Sequence, residues 1–403
     1  MRILPAKRLG MMSSAIFTEM MLRKKKLIAE GVDVIDLGIG SPDKPPHPEL
    51  IQAFKEAVSD PEVYLYPNFQ GNDHFKQAIA DWYKFRFGVE LNPNSNEILA
   101  LIGSQDGLAH LAQAYIDEGD IVLVPDPGYP IYSISVKLAG GTVYPLPLLK
   151  ENNFLPDFSR IPEEVLRKAK LMILNYPSNP LSAVATIDFF KEVVKVAKRY
   201  NIIVVHDLAY SEMAFDGFKP PSFLAVDGAK DVGIELNSLS KSFNLAGARV
   251  GYAVGNGEII NPLKVLKSYI DFGVFEAAQR VATLALKRDI QKPNNTYQLY
   301  QDRRDVFVAG LNNIGWQIDT PKATMFVWAE IPKGWKSQEF AYSLLEKTGV
   351  VVIPGDVFGM YGEGYVRIGL VQEKNLLLEA VDRIGKSGIL TERAASYVDV
   401  QHG

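Results

Sequence analysis

One lysine, Lys241, stands among three serines in NSLSKSFNLAGARVGY, residues 237–252, at the seam between an apolar strand and a glycine-marked turn. An amine placed there, with hydroxyls and Arg249 close by, can condense with a carbonyl and hold it as a Schiff base. A solvated lysine at a strand end is the plainer alternative. The choice between them depends on which other groups the chain brings to the same place.

Several chemistry-bearing residues occupy comparable positions. The run NIIVVHDLAY carries an apolar strand into His206, Asp207 and Tyr210. A carboxylate at the end of a buried strand is costly unless it meets a cation; His206 reads as a packing or supporting group. In EILALIGSQDGLAHLAQAY a strand, a glycine turn and a helix follow one another. The amides of Ser104 and Gln105 then point out of a helix N-terminus, a geometry that suits phosphate, with simple capping by Ser104 or Asp106 as the alternative. NYPSNP sets Asn179 between prolines at another strand end, as an ordinary turn asparagine or a ligand. PDPGYP offers Tyr129 in a rigid loop, where its ring covers a flat ligand or packs locally. GIGSPD at 38–43 completes no G-x-G-x-x-G before a helix, so a dinucleotide cofactor is rejected. No His, Asp or Glu set has metal-ligand spacing, and no metal site is expected.

These residues lie where apolar runs end. From about residue 95, EILALIGS, DIVLVPDPGYP, KLMILNYPSNP, NIIVVHDLAY, GIELNSLSK and ARVGYAVG are interleaved with helix-like segments such as DGLAHLAQAYIDEG and TIDFFKEVVKVAKRY. Continuous apolar strands separated by helices predict an α/β fold on a mostly parallel sheet, and such sheets bind ligands at the carboxyl ends of their strands. In the second helix Ile187, Phe190, Val193, Val194 and Val196/Ala197 follow helical spacing behind Thr186 as N-cap. After about residue 288, KRDIQKPNNTYQLYQDRRDVFVAGLNN reads as one long polar helix, and TMFVWAEI with VVIPG as strands of a smaller α+β unit. The domain boundary is expected near residue 285.

The whole chain sets outer limits. Its 403 residues, 47% hydrophobic and 22% charged, can bury a large core. A net charge of -4, from 43 basic and 47 acidic residues with no one-signed tail, gives no footprint for nucleic acid. Without cysteine there are no disulfides, thiolate metal sites or cysteine nucleophiles. No apolar run approaches the roughly 18 residues of a membrane span, and the expected location is the cytoplasm. The partner expected is a small molecule.

Taken in order, Ser104-Gln105, Tyr129, Asn179, Asp207 with Tyr210, Ser238-x-x-Lys241 and Arg249 resemble the class I/II pyridoxal-phosphate-dependent aminotransferases of fold type I. HDLAYSEMAFDG followed by PSFLAVDGAKDVGIELNSLSKSFNLAGARVGYAVGN is most similar to the branch of LL-diaminopimelate and alanine aminotransferases, and the resemblance covers nearly the whole chain. It implies pyridoxal 5'-phosphate as cofactor, carried on Lys241, which also acts as the base. Asp207 would pair with the pyridine nitrogen, Tyr210 and Asn179 would bond the phenolic oxygen, and Tyr129 would stack on the ring. Ser104, Gln105, Ser238, Ser240 and Arg249 would hold the phosphate. Tyr66, in YLYPNFQG, would reach the phosphate of a second subunit, implying a homodimer with shared sites. For the substrate, the resemblance implies Arg367 in YVRIGL as the α-carboxylate clamp, together with Asn179, Gly40 and, across the interface, Lys267.

Two departures from the family pattern concern the site: the usual N-P-T-G is Asn179-Pro180-Leu181-Ser182, and Ala248 replaces a common tryptophan before the phosphate arginine. Neither removes a catalytic group. The implied architecture is a large cofactor-binding domain over 46–285 and a small domain from 1–45 with 286–403. The implied reaction is ping-pong amino transfer between an L-amino acid and a 2-oxo acid, with LL-diaminopimelate, alanine, aspartate or aromatic amino acids as donors. Cleavage of a C–S bond in a sulfur amino acid by a β-lyase is the alternative.

Overall fold

A computed structural model describes residues 4–12, 15–293 and 295–392. Along these residues the strands are β1 (Ile35–Asp36), β2 (Ile98–Leu101), β3 (Ile121–Asp126), β4 (Thr142–Pro147), β5 (Ala169–Asn175), β6 (Ile203–Asp207), β7 (Gly233–Ser238), β8 (Gly251–Gly255), β9 (Phe326–Glu330), β10 (Val350–Val351), β11 (Ile353–Pro354) and β12 (Tyr365–Gly369). Seven of them form one sheet in the order β2-β8-β7-β6-β5-β3-β4. Strand β8 runs antiparallel to both neighbours and the remaining pairs are parallel.

The apolar runs become central strands because helices cover both faces. Helices Ser104–Tyr115, Ile131–Leu138 and Gly257–Ile270 enclose Leu108, Leu111, Val124, Leu236 and Leu263 on one side. Helices Asp73–Phe87, Ile187–Tyr200 and Glu276–Gln291 enclose Phe75, Trp82, Phe190, Val193 and Val281 on the other. Thr186 caps its helix as expected, its hydroxyl accepting the Phe189 N–H at 3.3 Å; Ile187 lies outside the buried face. Strand β4 escaped the sequence reading because it is a half-exposed edge strand containing Pro145 and Pro147, residues that edge positions tolerate.

The long polar helix expected across 287–313 is two helices, Glu276–Gln291 and Thr296–Asn313. Pro293 lies in the gap, where it offers no backbone N–H to continue the ladder. The second helix is less polar in context than in composition. It buries Tyr300, Phe307 and Leu311, and its Arg303 makes two bonds to Asp43 at 2.7 and 2.8 Å.

That helix packs with a three-stranded antiparallel sheet, β11-β12-β9, and with helices Ser337–Thr348 and Lys374–Ser387 around a second core. The N-terminal segment joins this core through Met20, Ile35 and Leu37, and β1 pairs in parallel with β10. No helix among the described residues is long and apolar enough to cross a membrane.

Candidate active site

The C-terminal ends of β5, β6 and β7, the loop after β3 and the start of helix Ser104–Tyr115 converge on a cavity of about 600 Å³, closed from the small sheet by Arg367 on β12. Gly40, Ser104, Gln105, Tyr129, Asn179, Asp207, Tyr210, Ser238, Ser240, Lys241, Arg249 and Arg367 all line it. Tyr66 and Lys267 do not.

Lys241 sits in the short helix Leu239–Ser242 that follows β7, and its Nζ donates to the Gly40 carbonyl at 2.7 Å. Burial, reinforced by the positive charges of Arg367 and Arg249, brings its pKa down to about 8. The amine is therefore largely available as a neutral nucleophile or base in mildly alkaline solution.

Asp207 ends β6. Its Oδ2 accepts from the Tyr132 hydroxyl at 2.8 Å and its Oδ1 from the Ala209 N–H at 3.2 Å, and burial raises its pKa. Among the described residues it has no lysine or arginine within ion-pair distance, so the cationic partner that sequence reasoning asked for is not supplied by this chain. Asn175, at the end of β5, shapes the floor: its amide donates to the Asp207 carbonyl at 2.8 Å while its Oδ1 accepts the Asn179 N–H at 2.8 Å. Sequence reasoning missed Tyr132 and Asn175. Tyr132 lies one helical turn beyond Tyr129, and Asn175 opens the NYPSNP turn.

On the opposite face of the same sheet His206 is buried behind Asp207. Its Nδ1 lies 2.8 Å from Glu235 Oε1 and its Nε2 lies 3.1 Å from the Tyr176 carbonyl. Glu235 also accepts from Ser222 Oγ, the Phe223 N–H and the Tyr83 hydroxyl. A buried carboxylate with that many donors is satisfied.

Two guanidinium groups stand at the cavity without carboxylate partners among the described residues. Arg367 donates from Nη1 to Asn179 Oδ1 at 2.9 Å and from Nη2 to the Gly38 carbonyl at 3.0 Å, between the rings of Phe326 and Phe358. Its Nε has no partner, and burial pulls its pKa down to about 10. Arg249 bonds the carbonyls of Ala246 and Ile102 at 2.9 and 3.4 Å. Beside it Gly103, at φ +75°, caps the helix that starts with Ser104, and a Cβ there would fall 2.6 Å from Arg249 Nη2. A Cβ on Gly251 would fall 2.7 Å from the Ser104 nitrogen. Both glycines admit the backbone to an anion-binding corner made of helix N–H groups, hydroxyls and a guanidinium.

Two expectations concern residues outside the cavity. Tyr66 is 86% exposed, its ring 5.1 Å from that of Phe272, and it does not line the cavity of its own chain. The resemblance implies Lys267 as a residue reaching the substrate across the interface. It is instead fully buried, its Nζ 2.5 Å from both Asp106 and Asp271. That implied role is corrected, because an ammonium committed to two buried carboxylates cannot also reach a substrate.

Pyridoxal phosphate fits this donor set: an anion corner at Ser104, Ser238 and Arg249, a buried carboxylate with no lysine or arginine at ion-pair distance among the described residues to meet a pyridinium, and an amine of depressed pKa in the same cavity. Sheet, cavity and lysine together define a fold type I pyridoxal-phosphate-dependent transferase. The chain belongs to the family Aminotransferase class I and II, whose model matches residues 32–384. It is 48% identical to an LL-diaminopimelate aminotransferase of Halothermothrix orenii over 92% of this chain and 94% of that one. It is 46% identical to LL-diaminopimelate aminotransferase 2 of Nostoc sp. over 95% and 98%. Among solved structures, apo-BacF from Bacillus subtilis superposes with a TM-score of 0.92 at 40% identity, over 97% of this chain and all of the other. The protein is thus an aminotransferase that uses pyridoxal phosphate, and the family favours transamination over C–S bond cleavage.

Proposed function

We propose that the enzyme takes an amino group from LL-diaminopimelate and passes it to a 2-oxo acid, in two half-reactions at one site. The donor is inferred from relatives of that name, which match over nine-tenths of the chain. The observation that carries the reading within the site is Arg367, a buried guanidinium whose Nε has no partner and which meets no carboxylate among the described residues. A planar fork held between two phenylalanine rings recognises an α-carboxylate in two-point fashion and fixes the adjoining Cα.

When bound, pyridoxal phosphate supplies an electron sink for the pair released at the substrate Cα. Lys241 would hold the cofactor and then act as the base that removes the Cα proton. Asp207, steadied by Tyr132 and the Ala209 N–H, would keep the ring nitrogen protonated. Tyr210 and Asn179 would bond the phenolic oxygen and Tyr129 would cover the ring. Ser104, Gln105, Ser238, Ser240 and Arg249 would receive the phosphate. Gly40 would line the substrate side, where its carbonyl already holds Lys241.

Further parts of the reading are a homodimer working in the cytoplasm, a large domain over 46–285 and a small domain from 1–45 with 286–403. Exposed Tyr64, Tyr66, Tyr269, Phe272 and Phe275 support the dimer, since clustered exposed aromatics favour an interface. Tyr66 would reach the partner's phosphate from this surface.

The test is a donor screen with LL-diaminopimelate, alanine, aspartate and aromatic amino acids, each paired with 2-oxoglutarate, and glutamate paired with oxaloacetate. LL-diaminopimelate should give the highest kcat/KM. A higher value for any other donor overturns the substrate assignment, and ammonia with pyruvate from cystathionine in the absence of an oxo acid would favour the lyase.

A further inference from the structure

Beneath the first turn of helix Ser104–Tyr115 lies a charge cluster whose members do not line the cavity. Asp106, in that first turn, turns its carboxylate back: Oδ2 accepts the Ile102 N–H at 2.9 Å and Oδ1 lies 2.6 Å from His110 Nδ1. Lys267, on helix Gly257–Ile270, bonds Asp106 Oδ2 and Asp271 Oδ2, and Asp271 Oδ1 accepts the Gly273 N–H at 2.8 Å. Ligand-type atoms of Asp106, His110 and Asp271 converge within 4.8 Å as they would around a metal. Here the ammonium of Lys267 bonds both carboxylates, so a side chain is the cation of the cluster.

The position of this cluster matters because a helix N-terminus attracts anions through its free N–H groups and the helix dipole. An aspartate in the first turn competes for that same positive end, and a second carboxylate behind it adds to the repulsion felt by an arriving phosphate. Burial alone would raise the Asp106 pKa, yet the bond to His110 and the bond and charge of Lys267 hold it below the usual carboxylate value. Asp106 is therefore a full negative charge whose field is cancelled at close range.

We propose that Lys267 is a positioning residue that sets the affinity of this site for the cofactor's phosphate without touching it. It does so by neutralising Asp106 and holding that carboxylate against the Ile102 N–H, away from the amides of Ser104 and Gln105. This rests on the reading that the phosphate is received there and at Arg249.

The experiment compares pyridoxal phosphate with pyridoxal, which lacks the phosphate, as ligands of enzyme freed of cofactor, by absorbance titration. The wild type should prefer pyridoxal phosphate; absence of any preference overturns the phosphate reading itself. Lys267→Met should weaken pyridoxal phosphate by about three- to thirtyfold while leaving pyridoxal unchanged. The double variant Lys267→Met/Asp106→Asn should recover much of that loss. Asp271→Asn keeps Lys267 paired with Asp106 and removes one negative charge, so it should raise the preference, and it serves if Lys267→Met fails to fold. Equal losses for both ligands, or a preference unchanged in Lys267→Met or lowered in Asp271→Asn, overturn the proposal.

Discussion

Arg367 Nη1 donates to Asn179 Oδ1 at 2.9 Å across 188 residues of sequence, joining the small sheet to the loop after β5. The bond helps hold the guanidinium against the rings of Phe326 and Phe358, with its Nε unpartnered among the described residues. The asparagine proposed for the cofactor and the arginine proposed for the substrate are thereby a single construction.

Arg367→Lys should therefore fail as a conservative change. A point charge on a flexible stem cannot keep the Asn179 bond and also offer a two-point grip. Losing charge-assisted hydrogen bonds of about 3 kcal/mol should lower kcat/KM by about a hundredfold for every amino donor. Steady-state kinetics check this.

Lys241, with a pKa near 8, sets a pH dependence. Capture of pyridoxal phosphate by the cofactor-free enzyme needs the neutral amine, so the recombination rate should rise about tenfold per unit below pH 8 and level off above it. A midpoint near the ordinary lysine value would contradict the burial argument. The sign for stability follows from the same depression: between about pH 8 and 10.5 the unfolded chain holds a proton that the folded chain lacks. This group thus makes the cofactor-free enzyme more stable as pH rises through that window. Lys241→Ala should show no borohydride-fixed adduct at any pH.

Gly103→Ala places a methyl 2.6 Å from Arg249 Nη2 at a residue with φ +75°. The strain is about 1–2 kcal/mol, and the guanidinium must also move. Pyridoxal phosphate should bind at least about tenfold more weakly, measured by equilibrium dialysis, with the fold retained by circular dichroism. Undiminished affinity would remove Arg249 from the phosphate corner.

Glu235→Leu would strand His206, Ser222, Tyr83 and the Phe223 N–H inside the sheet. Removing one member of a buried charged network costs about 3–5 kcal/mol. A urea titration should show that loss as a lower midpoint with an unchanged slope.

The central strands were legible in the sequence because helices bury both of their faces, leaving continuous apolar runs such as IIVVH and ILALI. Strand β4 was not, because its prolines and half exposure look like a loop. The break at Pro293 was available in KPNN and outweighs the helical composition on either side. Residues at strand ends that project into the cavity, among them Lys241, Asp207 and Asn179, stood out as polar groups closing apolar runs. Lys267 was misread because burial is not a property of its own neighbourhood: Asp271, four residues on, was a visible partner, whereas Asp106 lies 161 residues away. Tyr132 carried no signal in the sequence, and it is both core and hydrogen-bond donor.

Strand β6 places Asp207 in the cavity and the preceding His206 on the other face, against Phe190 and Glu235. Side chains of a strand alternate, so a slip of one residue that carried Asp207 into the place of His206 would turn it to the other face. The carboxyl group would then meet Glu235 in the core without solvent, while Leu208 took its place at the cavity. The cost of that mispairing makes the chemistry of the pair a proofreading device for assembly: the sheet closes stably in the alignment that delivers the acid to the cofactor side, and insertions or deletions within this strand should be lethal to folding before they can be harmful to catalysis.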